Sequence, residues 1–147
     1  MKKKLLISAC LLGESCRYDG KSKEYKGISQ LLSKYELIPI CPEVMGGLSI
    51  PRPPSEIVGE KVINTEGKDV SENYRLGANE SLRLAIENGA SAALLKERSP
   101  SCGKGQIYDG SFSGKLITGN GIAAELLISS GISVFGESEI DLLLKSY

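Results

Sequence analysis

The sequence contains no histidine and no tryptophan among its 147 residues. Without imidazole, serine–histidine and cysteine–histidine catalysis are excluded, together with every histidine metal site. A surplus of charge is missing too, since 18 Lys and Arg balance 18 Asp and Glu. With no basic excess to neutralise a phosphate backbone, the expected ligand is a small, near-neutral molecule and not nucleic acid. No run approaches the roughly 18 consecutive apolar residues of a membrane helix, so no membrane partner is expected. Cys10, Cys16, Cys41 and Cys102 are too few and too irregularly spaced for a disulfide framework in a chain of this length. Reduced thiols and a cytoplasmic location are expected. The opening Lys2-Lys3-Lys4 followed by Leu5 to Ala9 imitates a lipoprotein leader. That apolar stretch is shorter than the roughly 7–15 residues of a signal sequence, and apolar Leu11-Leu12 follow where a polar tether belongs.

What is present suits one compact α/β domain spanning residues 1–147, with an ordinary apolar content of 41%. Lys4 to Ala9 reads as a short buried strand, followed by a polar loop from Gly13 to Gly27. Ile28, Leu31, Leu32 and Tyr35 recur with the period of a helix face, and Leu37 to Ile40 reads as a second strand. Pro42, Pro51, Pro53 and Pro54 mark a stretch in which no regular element is expected to persist. A capping box from Asp69 to Glu72 opens a helix with Tyr74, Ala78, Leu82 and Ile86 on its buried face, and Gly89 closes it. A third strand at Ala92 to Leu95 precedes a Gly-rich segment, Lys96 to Gly121. A helix from Ile122 to Ser129, a strand at Ile132 to Phe135 and a helix from Glu139 complete the chain. The alternation predicts a Rossmann- or flavodoxin-like, mainly parallel sheet of about four strands with helices on both faces. The Gly-rich dinucleotide fingerprint is missing after the first strand, where Cys10-Leu11-Leu12-Gly13 stands instead.

In open parallel sheets, ligands bind beyond the carboxyl ends of the strands. Cys10 follows the first strand, Cys41 the second, and Cys102 lies in the loop after the third, so these distant residues are predicted to converge. Soft thiolates without imidazole select zinc or an iron–sulfur cluster. Closed zinc sites usually carry cysteine pairs two to four residues apart, and no such pair occurs here. Three thiolates leave one metal position open, as a catalytic site requires. The residues alone therefore predict a catalytic thiolate metal site and leave zinc and iron–sulfur both open.

Several motifs in fixed order carry a resemblance that spans almost the whole chain. They are Ile7-Ser8-Ala9-Cys10-Leu11-Leu12-Gly13, Cys16-Arg17-Tyr18-Asp19-Gly20, Pro39-Ile40-Cys41-Pro42-Glu43-Val44-Met45-Gly46-Gly47-Leu48 and Pro51-Arg52-Pro53-Pro54. Lys96-Glu97-Arg98-Ser99-Pro100-Ser101-Cys102-Gly103, Tyr108-Asp109-Gly110-Ser111-Phe112-Ser113-Gly114 and Gly119-Asn120-Gly121 continue the series. Together they resemble the bacterial domain-of-unknown-function family numbered 523, whose characterised members are thiouracil desulfidases. The resemblance implies a 4Fe-4S cluster held by Cys10, Cys41 and Cys102, and a thiolated pyrimidine that is converted to its oxo form with release of sulfide.

With no histidine to move protons, Glu43 is the expected general acid or base; its competing role is an ion pair with Arg52 or Arg98. Ser99 and Ser101 are expected to bind the pyrimidine edge or a water. Tyr18 or Tyr108 is suited to stacking on a flat ring, and Arg17, Asp19, Arg52 and Arg98 to lining the pocket. Cys16 is expected to be an accessory thiol and not a fourth ligand. The alternative function is a non-enzymatic module in which the same thiolates hold zinc or carry sulfur.

Overall fold

Two alternating apolar registers explain how the sheet is buried on both sides. In the computed structural model, which describes residues 2–13 and 27–146, strand β1 (Lys3–Ser8) turns Leu5 and Ile7 to one face and Leu6 to the other. β5 (Ala92–Leu95) repeats the device, with Ala92 and Leu94 on the first face and Ala93 and Leu95 on the second. On the first face lie α1 (Ile28–Lys34), through Ile28 and Leu31, and α5 (Ile140–Ser146), through Ile140 and Leu143. On the second lie α3 (Ser71–Asn88), through Ala85, and α4 (Ile122–Ser129), through Ala124 and Leu127. Each Leu or Ile fully removed from water stabilises the fold by roughly 1.5–3 kcal/mol. The central strands are thus the least movable part of the molecule.

The four main strands are all parallel, in the order β2-β1-β5-β8, where β2 is Tyr35–Ile40 and β8 is Ser133–Gly136. The chain leaves β1 toward β2, then returns past β1 to β5, so the strand order reverses at β1. The crevice of this fold lies at that reversal, beyond the carboxyl ends of β1 and β5. The expected α/β architecture, with four parallel strands and helices on both faces, is the one observed.

Several local expectations are corrected. Tyr35 opens β2 and does not close α1, because its fully buried hydroxyl donates to the Leu143 carbonyl at 3.0 Å. The proline-bearing stretch holds a one-turn helix, α2 (Pro42–Met45), and an antiparallel hairpin, β3 (Ser55–Val58) with β4 (Lys61–Asn64). Pro42 starts α2 because the first helical position needs no amide donor. The Gly-rich segment likewise contains a hairpin, β6 (Gln106–Tyr108) with β7 (Leu116–Thr118). The Asp69–Glu72 capping box does not form. Val70 donates to the Val62 carbonyl at 2.9 Å and takes the cap position, Asp69 accepts from the Ser71 amide, and Glu72 pairs with Arg75. Ile86 is 69% exposed, and Ala85 is buried in its place. Steps of four residues drift around a 3.6-residue helix, so the fourth member of the stripe leaves the core.

Helix α3 presses directly on α2, the element that follows Cys41. A Cβ on Gly77 would lie 1.7 Å from the Pro42 carbonyl oxygen, and one on Gly46 would lie 1.9 Å from the Asn73 carbonyl oxygen. These are backbone-to-backbone contacts that no rotamer change relieves. Gly77→Ala is therefore expected to destabilise the protein by about 2–3 kcal/mol, at the upper end of overpacking costs, with a matching fall in the urea midpoint. An unchanged midpoint would contradict the close approach.

Candidate active site

The sequence at the end of each central strand supplies one wall of a single cavity of about 520 Å3. Ser8 ends β1, and the next turn, a 3₁₀ helix over Ala9–Leu12, carries Cys10. Cys41 stands between β2 and α2, and Glu43 lies in the first turn of α2. The segment after β5 brings Lys96 to Cys102. All three cysteines at strand ends line this one cavity, as predicted, Cys10 and Cys41 partly exposed and Cys102 buried. Cys16, Arg17, Tyr18 and Asp19 lie outside the described residues.

Glu43 is the hub of the polar wall. Its Oε1 accepts from Arg52 Nε at 2.9 Å, and its Oε2 accepts from Ser101 Oγ at 2.9 Å and from Ser99 Oγ at 3.5 Å. Of the two arginines considered as its partner, Arg52 forms the pair. The Arg52 side chain is 5% exposed and the Glu43 side chain 15%, so this pair is well shielded from water. Arg52 also donates to the Ser49 carbonyl at 3.0 Å, which fixes the plane of the guanidinium. Arg98 lines the same cavity but is exposed.

Ser99 and Ser101 are ordered by their own backbone. Ser99 Oγ accepts from the amides of Ser101 and Cys102, each at 3.1 Å, and meets Ser101 Oγ at 2.9 Å. The loop is strapped to α4. That helix has no side-chain cap; the amide of Ile122 donates to the Pro100 carbonyl, and those of Ala123 and Ala124 donate to the Ser101 carbonyl. Gly121 permits the contact, since a Cβ there would sit 2.6 Å from Ser101 backbone atoms.

One side chain of the cavity wall was missed in the sequence. Tyr74, on α3, reads as part of an apolar stripe, and its ring does pack with Val62 and Val70. Its side chain nevertheless lines the cavity beside Glu43 and Ser55. Burial, then the Glu43 charge, holds this phenol far above its ordinary range, so it stays protonated. Nothing in a helical period signals such a contact.

Burial pushes the Cys102 thiol up to about 12, against the opposing pull of the Ser8 and Ser101 hydroxyls. In the metal-free protein this thiol is protonated at neutral pH, and both hydroxyls are placed to stabilise a thiolate once one forms. Alkylation of the reduced, metal-free protein at pH 8 is expected to modify Cys102 at least about tenfold more slowly than Cys10 or Cys41. Site-resolved mass spectrometry reads the three rates, and equal rates would contradict the burial.

The donor set fits an iron–sulfur cluster. Three thiols line one cavity without any imidazole, a soft donor set suited to such a cluster. A cubane takes its thiolates at separate corners, on separate irons, and so needs a wider triangle than one zinc ion.

The fold and cavity define a class: an open α/β domain with a thiol-lined, carboxylate-bearing crevice at its topological switch point. Residues 5–139 match the model of the 2-thiouracil desulfurase family, and the chain belongs to that family. It is 43% identical to the uncharacterized protein YbbK of Bacillus subtilis (strain 168), over 95% of this chain and 99% of that one. It also matches the solved structure of the 4Fe-4S-dependent thiouracil desulfidase TudS, at 44% identity and a TM-score of 0.92, over 97% of this chain and 95% of that one.

Proposed function

We propose that this protein is an iron–sulfur-dependent desulfidase that converts a thiolated pyrimidine of the thiouracil type to its oxo form and sulfide in the cytoplasm. Cys10, Cys41 and Cys102 would hold the 4Fe-4S cluster. The observation that carries the reading is the meeting of these three thiols with the Glu43–Ser99–Ser101 network in one cavity. When bound, a cluster with three protein ligands supplies a soft Lewis acid suited to a thiocarbonyl sulfur.

The chain supplies the proton chemistry. Glu43 Oε2 faces Ser101 and Ser99, whose hydroxyls can hold a water or the substrate edge against it. As the oxygen of that water bonds to the ring carbon, Glu43 accepts one of its protons, and it returns that proton as the C–S bond breaks. Sulfur leaves as sulfide, both water protons end on it, and no electron is transferred. Arg52 holds the carboxylate in place through its other oxygen, and the protonated Tyr74 lines the cavity beside it. Catalysis then depends on a carboxylate positioned to within a fraction of an ångström.

Anaerobic assay of sulfide release from 2- and 4-thiouracil by the iron-loaded protein tests the proposal, with production of uracil as the expected result. Brown colour and iron-dependent turnover support it. A colourless protein with stoichiometric zinc and no turnover would overturn it and favour a metal- or sulfur-binding module.

A further inference from the structure

Among the described residues only two that are not glycine hold a left-handed backbone, Arg98 at φ 69° and Phe112 at φ 57°. Both line the cavity just described, and an isolated bridge between Arg98 and Ile107 links their segments. A bulky aromatic residue in this region is strained, and such strain persists only where the surroundings impose it. Here they do. Glu56 Oε1, on β3, accepts from the amides of Gly110 at 2.9 Å and Phe112 at 3.2 Å. Asp109 donates from its amide to the Lys115 carbonyl and accepts from the Ser111 amide, each at 2.9 Å. A Cβ on Gly110 would sit 2.6 Å from the Ile57 carbonyl oxygen, so the loop lies flat against the hairpin.

The side chain held this way has no packing role that explains it. Phe112 is 40% exposed and belongs to none of the three core clusters. A strained loop thus presents an apolar ring to a cavity whose other wall is the polar network around Glu43. A flat heterocycle needs both: polar groups at its edge and an apolar surface on its face.

We propose that Phe112 determines specificity for planar substrates by stacking on the ring of the bound pyrimidine, with the β6–β7 loop as its support. This deepens the desulfidase reading and rests on it. Tyr108 lines the cavity as well, but it is half-buried in β6, where it pairs with Leu116.

The test uses the iron-loaded enzyme with Phe112→Leu, Phe112→Trp and Tyr108→Leu, and measures KM and kcat for thiouracil and the inhibition constant of uracil. Phe112→Leu is expected to raise KM and the uracil constant together by about tenfold, the range of base–aromatic stacking, with kcat within about twofold and iron content unchanged. Phe112→Trp is expected to restore both. Unchanged constants in Phe112→Leu, equal damage from Leu and Trp, or a larger effect from Tyr108→Leu would each overturn the stack. Wild-type enzyme that releases no sulfide would instead overturn the desulfidase reading itself, together with everything that rests on it.

Discussion

Serine at Cys10, Cys41 or Cys102 is expected to strip most of the iron and acid-labile sulfide from the anaerobically reconstituted protein, whereas Cys16→Ser is expected to retain close to the wild-type content of both. The contrast follows from position. The three thiols follow separate strands that the parallel sheet brings to one cavity, so each approaches it from a different segment of the chain. Serine replaces a soft thiolate with a hard hydroxyl, and a cubane with two remaining anchors is no longer held at three corners. Cys16 follows Cys10 in a polar stretch, and an open substrate position requires that it not close the site as a fourth ligand. Iron and sulfide determinations on all four variants, with circular dichroism to confirm folding, decide the matter. Equal loss in all four would mean a closed, four-thiolate centre and would end the open-site desulfidase.

Glu43→Gln is expected to lower turnover by roughly 10²–10⁴-fold at equal iron loading, the usual range for losing a general acid or base. Gln keeps the length of the side chain and an oxygen that can accept from Ser101. It cannot take a proton from water, and it leaves the guanidinium of Arg52, a side chain only 5% exposed, facing a neutral amide. Some loss of stability is therefore expected as well, and the thermal midpoint must be measured beside the rate. A rate within about threefold of wild type would reduce Glu43 to an anchor for Arg52. Loss of iron in step with activity would assign it a structural part in the thiol pocket. Only a fall in kcat with iron and fold intact identifies it as the proton carrier.

Legibility in the sequence followed the distance over which each interaction acts. The strand Ala92–Leu95 and the helix Ile122–Ser129 fall where the residues predict them, because an apolar run and a glycine stop are local signals. The convergence of Cys10, Cys41 and Cys102 was also legible, since strand order in a parallel sheet converts chain position into place. The pairing of Glu43 with Arg52 was one of two options the charges allowed, and geometry selects it over Arg98. The two hairpins were hidden because their strands are three or four residues long and lie among prolines and glycines. Gly59-Glu60 at the turn, with Ile57-Val58 before it and Val62-Ile63 shortly after, was a short-range sign of the first. Tyr74 shows what periodicity cannot convey. Its ring belongs to the core and its hydroxyl to the cavity wall, and only the packing of α3 on α2 brings the second about.

Because the carbonyls of Pro100 and Ser101 serve as the missing cap of α4, fraying of that helix and opening of the serine–cysteine loop are one physical event. The amide hydrogens of Ile122, Ala123 and Ala124 therefore form a gauge of the site that needs neither substrate nor metal to be read. Their deuterium uptake would report how often the loop lets go. A loop tied in this way is also denied the freedom to vary that surface loops ordinarily enjoy: changing its course unravels a helix whose far side holds up the sheet.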